Sequence, residues 1–301
     1  MNPVKISIVT ACLNQEHTVR ESIRSIVGQD YPNLEYIFID GASTDSTLAI
    51  ATQYKDLIGQ LISEKDDGQY EAISKGFQHS TGDIMAWLNG DDTYFPWTFS
   101  VVNEIFSSFP EIDWIIGLPS FLNKRGHLTD IHSKPASFPR RLISKGLYDE
   151  KRGGYLQQES MFWRRSLWTK VGGLDLNYRY AADFDLWTRF ARHTELALIN
   201  TPLAAFRVLR GEQKSSKHRD NYLSEVERIQ KERGLPGYSL WNSVASISLI
   251  TRALLRFTIL GNSPIVSYNE KSERWEKFRY YRSISRASLS DLVSKHITDH
   301  H

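Results

Sequence analysis

Residues 84–92 read Ile84-Met85-Ala86-Trp87-Leu88-Asn89-Gly90-Asp91-Asp92. A short apolar run breaks into a polar turn that ends in two adjacent carboxylates. Such a run is what a strand buried on both faces looks like, and strands of that kind belong to parallel sheets covered by helices. The same change recurs upstream. Ile6–Val9 leads to Thr10 and Asn14, Leu34–Ile39 leads to Asp40–Ser43, and Leu57–Ile62 leads to Glu64–Gly68. Between these runs, apolar residues recur at helical spacing: Val19, Ile23, Ile26 and Val27, then Leu48, Ala51 and Tyr54, then Ala72, Ile73, Gly76 and Phe77. The alternation predicts an α/β fold with a mostly parallel sheet flanked by helices. Ligands bind such sheets at the carboxyl ends of the strands, and all four polar clusters fall there.

Working outward, a helix is expected over about 97–109 and a strand at Trp114–Ile116. The stretch 119–156, with Pro119, Pro135 and Pro139, reads as loops and short strands over the active face. Regular structure is expected again at Ser160–Val171, Asp183–Arg192 and, as a polar helix, 221–233. Tyr238–Leu260 is apolar but interrupted by Arg252 and Arg256. Its uncharged part, Tyr238–Thr251, is 14 residues long, short of the roughly 18 a spanning helix needs. An interfacial amphipathic helix and a helix packed on the domain or on a second subunit both fit it. Trp275–Arg282 interleaves aromatic rings with Lys and Arg, which suits either a lipid headgroup interface or a structural end.

The 301 residues are 41% hydrophobic and 24% charged, which excludes collagen-like and wholly disordered chains. A lone cysteine, Cys12, can build neither an internal disulfide nor a Cys-based zinc site. The N-terminal stretch has no long apolar run behind a basic cap, so a cytoplasmic protein without a secretory leader is expected. Charge is lopsided: residues 1–206 carry 20 Lys+Arg against 25 Asp+Glu, whereas 207–301 carry 17 against 10. A basic tail points to an anionic neighbour, a membrane surface or a phosphate-bearing substrate, or simply to a solvated surface. No G-x-G-x-x-G follows the first strand and no P-loop occurs, which disfavours dinucleotide redox chemistry and P-loop hydrolysis. No nucleic-acid partner is expected.

The strand-end residues have definite chemistry. Asp91 and Asp92 repel each other unless a cation or water intervenes, and Mg²⁺ or Mn²⁺ binds through one or two carboxylates plus substrate phosphates. An exposed Asp-rich turn is the alternative. Asp40 and Asp66 can accept from a ribose hydroxyl or a base N–H, or can cap the helices that follow. Lys75 can reach a diphosphate or remain solvated. Asp183 and Asp185 straddle an expected helix N-terminus, where Asp serves either as a cap or, in a crevice, as a general base.

Together these stretches resemble the nucleotide-sugar glycosyltransferases of family 2, which have the GT-A fold. The resemblance is carried by Ser7–Thr10 with Asn14-Gln15, Ser25–Glu35, Ile39–Thr47, Ser63–Asp66, Thr81–Ile84 and Leu88–Asp92. Downstream it includes Gln158–Ser160, Phe162–Arg165, Gly172-Gly173 and Asp183–Trp187. It covers about residues 4–215, divided into a nucleotide-sugar half (1–118) and an acceptor half (119–215), with a basic, helical extension over 216–301. It implies donor contacts at Thr10, Asn14, Asp40, Asp66, Lys75 and Asp91, and a Mn²⁺ or Mg²⁺ ligand in Asp92. It also implies a catalytic base in Asp183 and acceptor contacts at Gln158, Glu159, Arg164 and Arg165. The chain departs from the family pattern at Leu13, Asp67 and Ala182, and Leu209 and Arg210 stand where many relatives carry a His. The implied activity is inverting sugar transfer from a nucleoside-diphosphate sugar, a UDP-sugar first of all, to a saccharide acceptor in cell-surface polysaccharide assembly. The basic, aromatic tail favours a lipid-linked acceptor at the inner membrane face. Two rivals remain: a nucleotidyltransferase, which calls for a Gly-rich basic loop where Thr10–Asn14 stands, and a sugar-nucleotide-binding scaffold without turnover.

Overall fold

The computed structural model describes residues 3–132, 138–148, 156–209, 218–235 and 263–279. The first strand, β1 (Ile6–Cys12), is buried along its whole length, as its apolar run requires. Helix α1 (Val19–Val27) leads to β2 (Leu34–Asp40), α2 (Thr47–Thr52) to β3 (Gln60–Ser63), and α3 (Gln69–Gln78) to β4 (Ile84–Trp87). The chain continues through β5 (Thr93–Tyr94), α4 (Thr98–Ser108), β6 (Trp114–Ile116), β7 (Ser120–Leu122), β8 (Leu128–Ile131) and α5 (Arg140–Ile143). A 3₁₀ turn at Gln158–Ser160 opens β9 (Met161–Arg164), followed by α6 (Arg165–Val171), α7 (Ala182–His193), β10 (Leu196–Ile199) and β11 (Ala204–Arg207). Helix α8 (Arg219–Glu232) and strands β12 (Pro264–Asn269) and β13 (Arg274–Arg279) complete the described chain.

Nine strands form the main sheet in the order β13-β12-β10-β6-β9-β4-β1-β2-β3. All pairings are parallel except those of β9, which runs antiparallel between β6 and β4, and of the terminal β13. The expected α/β architecture is therefore present, with β9 reversed within it. A smaller sheet, β5-β11-β7-β8, stands beside the carboxyl end of β4.

Alternation along the strands sends side chains into two cores. Ile6, Ile8, Tyr36, Phe38, Ile84 and Ala86 pack toward α1 and α4. Val9, Ile37, Ile39, Met85 and Trp87 pack toward α3 and α7. Gly76 brings α3 close to the sheet, since a Cβ there would press on the Val9 side chain and lie 3.3 Å from Ile39. On the same face Trp87 stacks on Trp187 of α7, with centroids 5.6 Å apart and planes 9° from parallel. Trp163 and Trp114 extend this cluster.

The C-terminal region departs from the helical reading. Residues 219–232 are helical, but 264–279 form a hairpin whose β12 pairs parallel with β10 and extends the main sheet. The aromatic–cationic alternation of Trp275–Arg279 is a strand period. Its polar groups are matched within the chain: Trp275 Nε1 donates to Glu104 at 2.6 Å, Lys277 pairs with Glu111, and Arg279 pairs with Glu195 at 2.7 Å. Residues 238–260 and 280–282 lie outside the described residues. Among the described residues no helix is long and apolar enough to cross a membrane.

At the amino ends of the strands, Glu35 ties three segments together. Its carboxylate accepts from Lys5 Nζ (2.7 Å), Ser7 Oγ (2.5 Å) and the Thr81 N–H (2.6 Å). Burial alone would raise its pKa, but these donors outweigh burial and hold it down to about 2. Its contribution is therefore complete above the ordinary glutamate pKa and is lost as pH falls toward about 2. Glu35→Gln is expected to lose about 2 kcal/mol at neutral pH. In urea denaturation at several pH values, that deficit should shrink as the wild-type carboxylate protonates.

Candidate active site

Asp91 and Asp92 lie in the turn between β4 and β5. Strand β5 pairs antiparallel with β11, Ala205 facing Thr93. Continuing that register brings Arg207 beside the two carboxylates. Its backbone N–H donates to Asp92 Oδ1 at 3.0 Å and its Nε to the Asp91 carbonyl at 2.8 Å. Its terminal nitrogen reaches the Glu21 carboxylate. Arg207 is 1% exposed, so a full charge is buried under the turn. Asn89 Nδ2 faces Asp92 Oδ2 at 3.4 Å, and Asn89 Oδ1 accepts from Gln69 Nε2 at 2.6 Å. Gln158 donates to the Trp87 carbonyl at 2.6 Å. Its neighbour Glu159 is buried, with no hydrogen-bond partner on Oε1.

Burial, reinforced by Asp91 and Glu159, holds the Asp92 carboxyl well above the usual carboxylate range. Burial and Asp91 raise Glu159 in the same way. Buried acids that resist ionising alone are relieved by a cation, and an all-oxygen donor set suits Mg²⁺ or Mn²⁺. Among the described residues no group of three or more His, Cys, Asp or Glu could by itself hold a metal ion. Mg²⁺ bound through one or two carboxylates takes its remaining ligands from phosphate and water. The donor chemistry fits, with Asp92 and the unpartnered Glu159 oxygen as the protein's contribution.

A second acidic centre faces the same edge. Asp183 is the second residue of α7, and its Oδ1 accepts the Phe184 N–H at 2.8 Å. Burial raises its pKa, the Glu225 charge adds to this, and a hydrogen bond from the Tyr70 hydroxyl opposes it. Tyr70 and Gln69 are consecutive at the start of α3. One reaches Asp183 and the other reaches Asn89 under Asp92, so a single helical turn touches both acidic centres. Gly68, at φ 143°, sits just before them, 3.7 Å from the Arg179 side chain measured from where its Cβ would be. Asp185, the other half of the carboxylate pair, is committed to structure: it pairs with Arg189 and Arg233.

The remaining expected site residues divide. Asn14, at φ 54°, accepts the Thr44 N–H at 2.9 Å and joins the β1 and β2 turns at the crevice rim. Asp40 is fully buried, accepting from Ser63 Oγ at 2.6 Å and the Ser43 N–H at 3.1 Å. Asp66 lies against Gly41 and accepts the Gly68 N–H at 3.0 Å. Lys75 is paired with Glu64 at 2.5 Å. Leu13, at the end of β1, is 40% exposed. Three residues stand elsewhere than expected. The Thr10 side chain points into the core, where its Oγ accepts from Tyr36. Arg164 and Arg165 lie at the far edge of the sheet because β9 runs antiparallel, with Arg164 facing Ile84 at the start of β4. Arg164 donates to the Ile112 and Phe106 carbonyls, and Arg165 to Gly82 O and Ser80 Oγ. Their side chains bind structure, not an acceptor. Arg207, Tyr70, Gln69 and Glu225 were not singled out in the sequence. For Arg207 the available signal was a lone cation directly after the apolar run Ala204–Phe206.

Comparison with known proteins matches residues 7–142 to the model for glycosyl transferase family 2. That stretch is similar to the family 2 glycosyltransferases. An uncharacterized glycosyltransferase of Rickettsia typhi is 25% identical over 188 residues, which is 62% of this chain and 58% of that protein. EpsE of Bacillus subtilis, also named as a glycosyltransferase, is 43% identical over 97 residues, 31% of this chain and 34% of its own. Both alignments thus span well under two thirds of the relatives' length. Among solved structures, S. aureus TarS in complex with UDP-GlcNAc superposes with TM-score 0.59 at 15% identity, over 75% of this chain and 65% of TarS. The mannosyltransferase PcManGT of Pyrobaculum calidifontis, in complex with GDP-Man and Mn²⁺, superposes with TM-score 0.55 at 18% identity, over 85% and 79%. The fold is that of the GT-A glycosyltransferases.

The buried Arg207 is expected to be indispensable to the Asp91–Asp92 turn. Arg207→Met should lose about 3 kcal/mol of stability, because Glu21 and the Asp91 carbonyl are left unpaired. Chemical denaturation checks this.

Proposed function

We propose that the chain transfers a sugar, with inversion, from a nucleoside-diphosphate sugar to a saccharide hydroxyl. The observation that carries the reading is the bridging of the Asp92 centre and Asp183 by Gln69 and Tyr70 at one sheet edge. One centre suits a diphosphate and the other an attacking hydroxyl. The acceptor oxygen bonds to the anomeric carbon while its proton passes to the Asp183 carboxylate. The bond from that carbon to the diphosphate oxygen breaks, and the electron pair leaves with the nucleoside diphosphate. Asp92, with Glu159 beside it, would hold Mg²⁺ or Mn²⁺, which when bound supplies charge stabilisation for the leaving diphosphate. Asp66 and Asn14 shape the rim of the nucleoside crevice, with Asp40 buried beneath it and Asp91 beside the ribose. Gln158 and Glu159 lie under the sugar end.

A UDP-sugar is the first donor to test, in keeping with the UDP-GlcNAc complex of TarS, and GDP-mannose is the second, in keeping with PcManGT. The reading extends to a lipid-linked acceptor of cell-surface polysaccharide assembly at the inner face of a membrane. Its support is the excess of Lys and Arg in residues 207–301.

Three experiments test the core of this reading. Asp183→Asn should lower kcat about 1000-fold while donor affinity in calorimetry stays unchanged; transfer at the wild-type rate would overturn it. Because Asp183 must be deprotonated and burial raises its pKa, the acid limb of the wild-type rate profile should be displaced upward from the ordinary aspartate value. Asp92→Asn should remove the metal-dependent part of donor binding, read as equal donor affinity with Mn²⁺ and with chelator.

A further inference from the structure

The segment before Asp183 lacks a cap of its own. The residue preceding α7 is Ala181, whose side chain accepts nothing, and the first N–H groups of a helix need acceptors. The loop leading into the helix is instead held from α8. The Glu225 carboxylate takes three successive backbone N–H groups: Arg179 at 2.8 Å, Tyr180 at 2.6 Å and Ala181 at 2.9 Å. Glu225 is only 15% exposed, and Val226 and Ile229 are buried beside it. The same helix grips the segment on both sides of this point. Arg228 donates to the Asn177 carbonyl at 2.6 Å, and Glu232 accepts from the Tyr178 hydroxyl at 2.6 Å. Arg233 reaches Asp175 and Asp185, each at 2.8 Å.

We propose that Glu225 is a positioning residue for Asp183: by holding the backbone of residues 179–181 it aims the Asp183 carboxylate at the acceptor hydroxyl. The proposal rests on the reading of Asp183 as the base. Three charge-assisted hydrogen bonds converge on one carboxylate at the point where loop becomes helix. A backbone rotation at Ala181 swings Asp183, two residues on. Misplacing a reacting group by about 1 Å costs about 100-fold in rate. A negative charge at the N-terminus of α7 also favours the helix through its dipole.

The test compares wild type, Glu225→Ala, Glu225→Gln and Asp183→Asn. UDP-N-acetylglucosamine and GDP-mannose are the donors, with Mn²⁺, and release of nucleoside diphosphate is followed. Amide hydrogen exchange at residues 179–181 is measured in parallel. Glu225→Ala should lower kcat about 100-fold, leave the donor KM unchanged and speed exchange at 179–181. Glu225→Gln keeps an acceptor oxygen and should recover much of the kcat that Glu225→Ala loses. An unchanged kcat, a kcat and KM that collapse together with the melting temperature, or exchange no faster than wild type would each overturn the proposal. Wild-type turnover in Asp183→Asn would instead remove the base assignment, while the exchange measurement still reports on the clamp without any substrate.

Discussion

The stacking of Trp87 on Trp187 is the contact on which the site's geometry depends. Trp87 is the last residue of β4, just ahead of the turn that holds Asp92. Trp187 lies in α7, one turn beyond Asp183. Fully buried stacked indoles contribute large apolar area and about 1 kcal/mol from ring geometry. More important here is that two flat, inflexible rings fix a strand against a helix. The cost is visible in the same cluster: the indole N–H groups of Trp114, Trp163 and Trp187 have no hydrogen-bond partner among the described residues. An apolar, aromatic interior under an acidic rim leaves few ways for the two acidic centres to drift apart.

Much of this was legible in the sequence. Parallel-sheet strands are read easily because each is a nearly pure apolar run, as Ile6–Cys12 and Ile84–Trp87 show. Their carboxyl-end residues follow directly from the runs, which is how Asp92 was reached, whereas Asp183 was read from a carboxylate pair at an expected helix N-terminus. What could not be read was direction. Gln158 to Arg165 is one continuous motif, but β9 enters the sheet from the active edge and leaves at the other. Its first residues therefore stand near the chemistry, and its two arginines do not. Thr10 shows the complementary limit, since the parity of a side chain at a strand end turns on one residue of register.

The remaining functional side chains depend on long-range approach, which local patterns do not encode. Arg207 meets Asp91 across 116 positions, and Glu225 meets Tyr180 across 45. Both look like ordinary charged residues until the fold buries them. The terminal hairpin escaped for a different reason. Rings interleaved with cations describe a lipid surface as well as they describe a strand whose indole finds Glu104 and whose cations find Glu111 and Glu195 along its path.

That hairpin also has a bearing on how the molecule behaves in company. Without it, β10, four buried apolar residues from Leu196 to Ile199, would be the outermost strand and would offer a bare row of backbone donors and acceptors. Strands of that kind recruit their own kind from neighbouring molecules. Instead the outermost strand is Arg274–Arg279, short and crowded with charge, which repels an approaching copy. Residues 264–279 therefore cover an edge that would otherwise be open to pairing between copies, at the end of the strand order opposite β3.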